Sequence, residues 1–193
     1  MIIKNMKVSL CTRQEIQKFI ELNHYSKSIN GCISDYSFCL TYENNLIGAA
    51  FFGRMAMAGQ WKKYGNCESD VIELRRLCCI NETPKNTESF FIGFMLRWLK
   101  KNTYHKIVVS YADAEHGHTG IIYKASNFKY LGHSIGAKII LYEGKTYHDK
   151  TIRTKYKNKL KPFAQKIKTA IENGNAIYKK TAGKHTYTYL LSN

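Results

Sequence analysis

The stretch Ser110–Phe128, S-Y-A-D-A-E-H-G-H-T-G-I-I-Y-K-A-S-N-F, joins a strand pattern to a helix pattern through a polar turn that contains glycine. An apolar run, 106–109, precedes it, and a second strand-like run, 130–135, follows it. In α/β proteins, strands that end in polar side chains and turn at glycine into a helix build ligand sites at their C-terminal ends. The stretch therefore predicts an α/β fold with a functional site at the end of this strand.

Strand and helix patterns alternate on both sides of this stretch. Thr12, with Glu15 three residues later, is typical of a capping box that starts a helix. The patterns predict, in chain order, strand 7–11, helix 13–22, strands 36–42, 46–52 and 70–80, helix 89–101, strand 106–111, helix 120–127, and strands 128–135 and 138–142. The order favours one domain in which helices flank a sheet.

The last quarter of the chain is strongly basic. The formal net charge is +16 and the sequence pI is about 9.6. Between 144 and 193 only Asp149 and Glu172 oppose a long series of Lys and Arg residues. A helix is predicted over roughly 155–173 and a final strand over 184–191. We expect a catalytic domain at 1–143 and a basic extension, 144–193, packed on the same domain, with a polyanionic partner such as double-stranded DNA.

Composition also indicates where the protein acts. No apolar run approaches the roughly 18 to 20 residues of a membrane span, and the N-terminus has no long apolar segment typical of a secretory signal. The six cysteines form no C-x-x-C pair, and several lie in apolar runs. We expect reduced, mostly buried cysteines in a cytoplasmic protein that does not enter a membrane.

Several polar groups are candidate ligand contacts, each with a structural alternative. Trp61-Lys62-Lys63 is typical of a site that stacks on a base, or of a tryptophan that covers a sheet edge. Lys85-Asn86-Thr87 precedes a helix whose free N–H groups favour an anion, or Asn86 or Thr87 caps that helix. His24-Tyr25 lies at a helix end, where a histidine also interacts with free carbonyls.

A second group of candidates concerns catalysis and metal binding. Glu73 and Arg75 share one face of an apolar strand, either beside a groove or as an ordinary ion pair. Asp113 is a candidate base, or a turn residue before Gly117. His116 and His118, with Asp113 nearby, are candidate iron ligands, although this spacing is not typical of zinc sites.

The element order resembles the GNAT-type acyltransferase fold, in which a long fourth strand leads to a phosphate-gripping loop and the fifth strand splays away from it. A closer resemblance is to the Mom family of bacteriophage DNA-modification proteins. It covers most of residues 24 to 143. The matching residues are His24-Tyr25-Ser26, Glu73-Leu-Arg-Arg-Leu77, Pro84-Lys85-Asn86-Thr87 with Ser89, Ser110-Tyr-Ala-Asp113, and Gly117-His-Thr-Gly120 with Tyr123, Ala125 and Asn127.

The resemblance implies a mixed, mostly antiparallel central sheet flanked by helices. It also implies an enzyme that converts adenine in phage DNA to N6-carbamoylmethyladenine and so shields the genome from restriction. Acetyl-CoA and bound iron are implied as well. Because T-P-K-N-T-E stands where the fold has a glycine-rich loop, an aminoacyl-tRNA is the alternative donor. The implied donor contacts are Leu77, Cys78, Lys85, Asn86, Thr87 and Ser89.

The chemistry of the target assigns roles to these residues. The amine of adenine is a poor nucleophile inside a duplex, so the base must be flipped out and stacked in a pocket. We expect Asp113 as the base, with Glu73 second, and Tyr123 as the proton donor to the leaving group. The implied catalytic residues are His24, Tyr25, Glu73, Ser110, Asp113 and Tyr123. The expected nucleic-acid contacts are Trp61, Lys62, Lys63, Arg153, Lys155, Lys157 and Lys159.

Two other functions remain open from the sequence. One is a GNAT-type N-acetyltransferase that acts on protein or small-molecule amines. The other is a non-catalytic nucleic-acid-binding protein in which the basic extension is the active part. Modification of adenine in DNA separates the first interpretation from both alternatives, because neither alternative produces it.

Overall fold

The computed structural model describes residues 1–191, which form two compact units. The first unit contains residues 1–112, 118–132 and the chain from His185 onward, and the second contains residues 113–117 and 133–184. The predicted division into 1–143 and 144–193 stays a prediction. The observed compact units have other bounds, because the last strand belongs almost entirely to the first unit.

The first unit is built on a seven-stranded sheet. Its helices are α1 (Arg13–Asn23), α2 (Thr87–Asn102) and α3 (Ile121–Ala125). Its strands are β1 (Lys7–Cys11), β2 (Tyr36–Tyr42), β3 (Asn45–Gly53), β4 (Val71–Cys79), β5 (Ile107–Asp113), β6 (Lys129–His133) and the last strand, β10 (Lys184–Leu190). The spatial order is β1-β2-β3-β4-β5-β10-β6. Strands β1, β2 and β10 confirm the predicted strands to within one residue, and the Thr12–Glu15 capping box is confirmed at the start of α1.

The sheet is mixed, as expected. Strands β1 to β4 pair antiparallel in sequence order, whereas β4 and β5 run parallel. The parallel pairing extends only from Val71↔Ile107 to Leu74↔Ser110, although β4 continues to Cys79. The two strands therefore separate beyond Ser110, which opens the sheet where the sequence predicts the site. The register between β3 and β4 also shifts next to Phe51, which leaves Arg75 as the extra residue of a β-bulge.

Two apolar clusters hold helices on opposite faces of this sheet. Phe91, Ile92 and Met95 of α2 pack in one cluster with Phe38 and other strand residues. Ile16 and Ile20 of α1 pack in a separate cluster with Ala49 and Phe51 of β3. Side chains alternate between the faces along a strand, so β3 contributes to both clusters. The apolar runs in the central strands follow from burial on both sides.

The second unit has its own small sheet and core. It contains β7 (Lys138–Tyr142), β8 (Lys145–His148), α4 (Pro162–Glu172) and β9 (Ile177–Lys180), and the strand order is β8-β7-β9. Ile140 packs with Ile167, Ala170 and Ala176. The predicted helix over 155–173 is wrong in its first part: the helix begins at Pro162, because proline suits the first turn of a helix and not its interior.

No helix within residues 1–191 combines the length and the apolar character that crossing a membrane requires.

Candidate active site

The Tyr123 hydroxyl is influenced by side chains from β4, β5, β10 and the segment that follows α1. Tyr123 lies in α3 and is buried. Burial is the main cause that raises its pKa to about 12. The Ser110 hydroxyl acts in the opposite direction, while Tyr25, Glu73 and Tyr187 are close enough to raise the pKa further. Tyr123 is therefore a neutral phenol at physiological pH, which suits it to donate a proton.

Ser110 in β5 has a fully buried hydroxyl. Its Oγ has no hydrogen-bond partner of good geometry among residues 1–191, although it lies near the Tyr123 hydroxyl. Buried polar atoms are usually paired, and those that are not often mark functional positions. Since β4 and β5 separate just beyond Ser110, a bound molecule in this opening is a suitable partner for its hydroxyl.

Glu73 in β4 presents a buried carboxylate close to the same phenol. Its Oε1 lies 3.5 Å from Arg75 Nε, and its Oε2 accepts a hydrogen bond from the Ala56 N–H at 3.3 Å. The Arg75 contact is an ion pair and not a hydrogen bond, whereas the Ala56 N–H donates to the carboxylate. The predicted pairing of Glu73 and Arg75 on one face is confirmed. The Ala56 contact carried no signal in the sequence, because it depends on how the irregular segment 54–67 folds back over β4.

His24 and Tyr25 form an aromatic group with His118. The rings of His24 and Tyr25 have centroids 4.2 Å apart, and His118 meets Tyr25 edge-on at 5.0 Å. The Ser26 N–H donates to His24 Nδ1 at 3.1 Å, and the Ser26 hydroxyl lies 2.9 Å from the same nitrogen.

Tyr187 supports the start of α3, a role that the sequence did not predict. Its hydroxyl donates to the Thr119 carbonyl at 2.6 Å, and its ring packs on Tyr123 at 5.3 Å between centroids. Gly120 lies against this ring and has a φ of 77°. The alternating pattern of 184–191 predicted the strand, but it carried no information on which neighbour the strand joins.

Asp113 ends β5 and belongs to the second unit. Its carboxylate accepts the Glu115 N–H at 3.1 Å and lies 3.6 Å from Lys184 Nζ. Asp113 therefore acts as a capping residue in a turn, which was the structural alternative for this residue. Its role as a base stays a prediction.

The candidate metal ligands fall into different units, His116 in the second and His118 in the first. Across residues 1–191, no group of three or more His, Cys, Asp or Glu side chains is arranged to hold a metal ion. These residues do not fit an iron site, and no step of the chemistry below depends on one.

The loop between β4 and α2 presents the start of a helix. Asn86 precedes α2 with a φ of 72°, a conformation that Asn tolerates better than most residues. Thr87 is buried and its hydroxyl donates to the Pro84 carbonyl at 2.8 Å, and Ser89 donates to the Asn86 carbonyl at 3.0 Å. Within the described chain neither Asn86 nor Thr87 caps the helix N–H groups through its side chain. The first turn of α2 therefore keeps backbone N–H groups that can donate hydrogen bonds to an anion.

The remaining residues predicted to contact the donor have different environments. Lys85 is exposed beside this helix start. Leu77 packs on the cluster under α2, and Cys78 packs on the cluster under α1. Burial raises the pKa of the Cys78 thiol to about 12, so this cysteine is a neutral packing residue rather than a nucleophile. Donor binding by these residues stays a prediction.

The segment around Trp61 is held to β5 by tyrosines. Lys62 Nζ lies 5.7 Å from the Trp61 ring, and both Lys62 and Lys63 are exposed. The Tyr111 hydroxyl accepts from Gln60 Nε2 at 2.8 Å and lies 3.0 Å from the Tyr64 hydroxyl. These bonds fix the segment that also supplies the Ala56 N–H to Glu73. Stacking of Trp61 on a base stays a prediction.

The basic residues predicted to contact DNA are exposed in the second unit: Arg153, Lys155, Lys157 and Lys159. Arg153 forms an ion pair with Asp149 at 2.5 Å. Among the described residues, no ion pair is formed by the three lysines. An exposed cation without a carboxylate partner keeps its full charge for a phosphate.

Comparison of the sequence with known proteins gives one family match and a match to a curated protein. Residues 5–193 match the model of the Mom protein family. An 83-residue segment is 32% identical to the methylcarbamoylase Mom of Escherichia phage Mu, and it covers 42% of this chain but only 34% of that protein. The chain thus matches about a third of the length of this curated relative.

Solved structures with the same fold are GNAT acetyltransferases. A GNAT-family acetyltransferase of Streptococcus pneumoniae is 8% identical, with a TM-score of 0.55 over 97% of this chain and 99% of that chain. NAA60 of Arabidopsis thaliana, in complex with acetyl-CoA, is 10% identical, with a TM-score of 0.55 over 96% and 99%. Spermidine N-acetyltransferase of Vibrio cholerae, in complex with CoA and spermine, is 11% identical, with a TM-score of 0.54 over 97% and 96%. These matches confirm the GNAT-type fold.

Proposed function

The chain belongs to the Mom protein family, and on that premise we propose that it is a phage-type DNA-modifying transferase acting on the exocyclic amine of adenine. The observation that carries this proposal is the buried Ser110 hydroxyl beside the Tyr123 phenol where β4 and β5 separate, with the Glu73 carboxylate near enough to influence that phenol electrostatically. A base, a hydroxyl without a good partner and a neutral phenol are the groups that transfer to a weak nitrogen nucleophile requires.

Glu73 takes the proton from the adenine amine in this proposal, and Tyr123 supplies a proton to the leaving group. Glu73 is buried close to the phenol, whereas the Asp113 carboxylate already caps a turn and faces Lys184. For this reason the proposal gives the base role to Glu73, the second choice from sequence. The Ser110 hydroxyl binds the donor carbonyl or the target base.

The target adenine stacks on the aromatic group formed by His24, Tyr25 and His118. A base inside a duplex is out of reach, so it must be extruded into a stacking pocket. Tyr25 is only partly buried and is near the Tyr123 phenol. An adenine on this ring therefore has its amine within the reach of the residues that move protons. The exposed lysines of the second unit bind the phosphates of double-stranded DNA. This proposal assigns the activity to the cytoplasm of the infected cell.

The donor is acetyl-CoA or an aminoacyl-tRNA, and atom balance favours a glycyl ester. A carbamoylmethyl group contains a nitrogen that acetyl lacks, whereas glycyl contains the same atoms as carbamoylmethyl. In the first step the adenine amine forms a bond to the glycyl carbonyl carbon and the ester C–O bond breaks, with Glu73 taking the amine proton and Tyr123 protonating the departing oxygen. The glycyl amine then bonds to C6, the original C6–N bond breaks, and a proton passes to the released amide nitrogen.

The nucleosides of DNA from cells that express the protein test this proposal directly. Mass spectrometry of a digest is expected to show a modified deoxyadenosine, and an inactive Glu73→Gln variant is the control. Cells fed ¹⁵N-glycine should incorporate the label if glycyl is the donor. Finding only ordinary deoxyadenosine would contradict the function, while acetyl transfer to amines without DNA would favour the alternative N-acetyltransferase.

Replacing Tyr123 with phenylalanine is expected to lower the modification rate about 100-fold, since a positioned acid contributes at least that much when the leaving group is poor. Steady-state rates on duplex DNA measure the effect. Tyr130→Phe is a matched control, because Tyr130 is partly exposed and its hydroxyl bonds to His185. Equal losses in the two variants would remove Tyr123 from the mechanism.

A further inference from the structure

Residues 156–159 of the second unit form a very short hairpin. The Tyr156 N–H donates to the Lys159 carbonyl at 2.7 Å, and the Lys159 N–H donates back to the Tyr156 carbonyl at 3.0 Å. Lys157 and Asn158, between them, have φ values of 48° and 62°. Two successive positive φ values are those of a type I′ turn, whose twist matches that of a paired hairpin. The tip is therefore an ordered structure rather than a loop.

This hairpin buries almost nothing. Tyr156 is 65% exposed, and every residue from Arg153 to Lys159 is exposed. Lys157 is neither Gly, Asn nor Asp, so its left-handed conformation costs roughly 1 kcal/mol. A strained turn that gains no burial does not stabilise the unit, and strain of this kind often marks a functional element.

The hairpin lies in a segment without acidic residues. Between Asp149 and Glu172 there is no Asp or Glu. The basic residues of this segment are Lys150, Arg153, Lys155, Lys157, Lys159, Lys161, Lys166 and Lys168. Lysines alternate with other residues from 155 to 161 on both sides of Tyr156, and Lys157 Nζ lies 5.7 Å from the Tyr156 ring. An exposed aromatic ring framed by cations matches the two surfaces of a nucleic acid, its phosphates and its bases.

We propose that the 155–159 hairpin is a duplex-DNA docking element in which Lys155, Lys157 and Lys159 bind phosphates and Tyr156 inserts as a wedge against a base step. Side chains that enter a groove between base steps partly unstack them, and the added protein contact offsets this cost. The three lysines on either side of the ring hold it against the duplex by binding phosphates, without any base-specific hydrogen bond. The inference rests on the proposed function in one respect only, the choice of DNA as the partner.

Removing the aromatic ring of Tyr156 tests whether this side chain acts as a wedge against a base step. Tyr156→Ala is expected to weaken duplex binding about 5- to 100-fold, the loss typical of one stacked base, whereas Tyr156→Phe should bind like the wild type. The probe is a duplex that carries 2-aminopurine next to a T-A step, whose fluorescence should rise with the wild type and not with Tyr156→Ala. Tyr104→Ala is the matched control, since Tyr104 is 97% exposed in the first unit.

The lysines are tested separately by the salt dependence of binding. Each of Lys155→Ala, Lys157→Ala and Lys159→Ala is expected to reduce the slope of log affinity against log salt by about one phosphate contact. Unchanged slopes would overturn the phosphate role. Circular dichroism of each variant confirms that the second unit is folded.

Several outcomes overturn the wedge. They are equal binding by Tyr156→Ala, Tyr104→Ala and the wild type, an equal loss in Tyr156→Phe and Tyr156→Ala, and a loss in Tyr156→Ala that is larger for tRNA or for vesicles of anionic phospholipid than for the duplex. Binding does not require catalysis, so the proposed function fails independently. If duplex binding depends on the Tyr156 ring but no modified deoxyadenosine is found, the wedge is supported and the transferase function is contradicted. If deoxyadenosine is modified and duplex binding does not depend on Tyr156, the transferase function is supported and the wedge is contradicted.

Discussion

Replacing Glu73 with glutamine is expected to lower the rate of adenine modification by about two to four orders of magnitude, the usual contribution of a positioned general base. The amide has the size of the carboxylate but cannot accept the amine proton. Glu73 is the buried carboxylate that lies near the Tyr123 phenol, and the Ala56 N–H and Arg75 hold it in place. Rates are measured on duplex DNA under single-turnover conditions, so that DNA binding does not mask the effect.

Asp113→Asn is the matched control for this experiment. The side-chain amide introduced by this substitution would still accept the Glu115 N–H, and the lost ion pair involves a half-exposed Lys184 that is worth little. We expect a loss of less than about tenfold, since no proton transfer is removed in that case. A loss with Asp113→Asn as large as that with Glu73→Gln would return the base role to Asp113. Thermal unfolding of both variants separates lost chemistry from lost folding, because Glu73→Gln also leaves the mostly buried Arg75 without its carboxylate.

Replacing Gly120 with alanine is expected to lower the free energy of unfolding by about 2–5 kcal/mol and to abolish activity. A Cβ on Gly120 would lie 2.3 Å from the Tyr187 ring, and the φ of 77° is itself unfavourable for alanine. Relief requires the Tyr187 ring, α3 or β10 to move. A shift of this ring breaks its bond to the Thr119 carbonyl and its packing on Tyr123, so we expect the Tyr123 phenol to be displaced from Ser110. Urea unfolding measures the loss of stability, and the nucleoside digest measures the loss of activity.

The variant Gly117→Ala separates the cost of the positive φ from the cost of the clash with the Tyr187 ring. Gly117 has a φ of 71° but open space around its Cβ position, so only the backbone penalty of about 1–2 kcal/mol applies. In the double variant Gly120→Ala with Tyr187→Leu, the two losses should be less than additive, because the smaller side chain relieves the clash. Equal losses for Gly117→Ala and Gly120→Ala would show that contact with Tyr187 is unimportant.

The local elements were predictable because their causes are local. The Thr12–Glu15 capping box begins α1 where its sequence indicated, and β2 has the predicted bounds. The apolar pattern predicted a helix over 155–161 where the chain forms a hairpin, because apolar residues keep a helical spacing through this segment. Apolar periodicity does not register that Pro162 starts a helix and that Lys157 and Asn158 take positive φ values.

The candidate site was predictable as residues but not as an arrangement. His24, Tyr25, Ser110 and Tyr123 were each singled out, yet the base could not be chosen between Asp113 and Glu73. That choice depends on which carboxylate is buried near the phenol and which one accepts a backbone N–H in a turn. Neither fact is local in sequence. Tyr187 was missed for the same reason, since its strand pattern does not identify β5 and β6 as its neighbours.

The sequence by itself determined the α/β class, the basic charge of the last quarter, the family resemblance and most strand and helix positions, because hydrophobic period, caps and charge act over a few residues. Tertiary structure alone decided that β4 and β5 separate at Ser110, that the Ser110 and Tyr123 hydroxyls lie beside each other there, and that the Tyr156 ring stays outside the core. These features depend on contacts between distant residues, whose free energy is gained only when the whole unit closes around them.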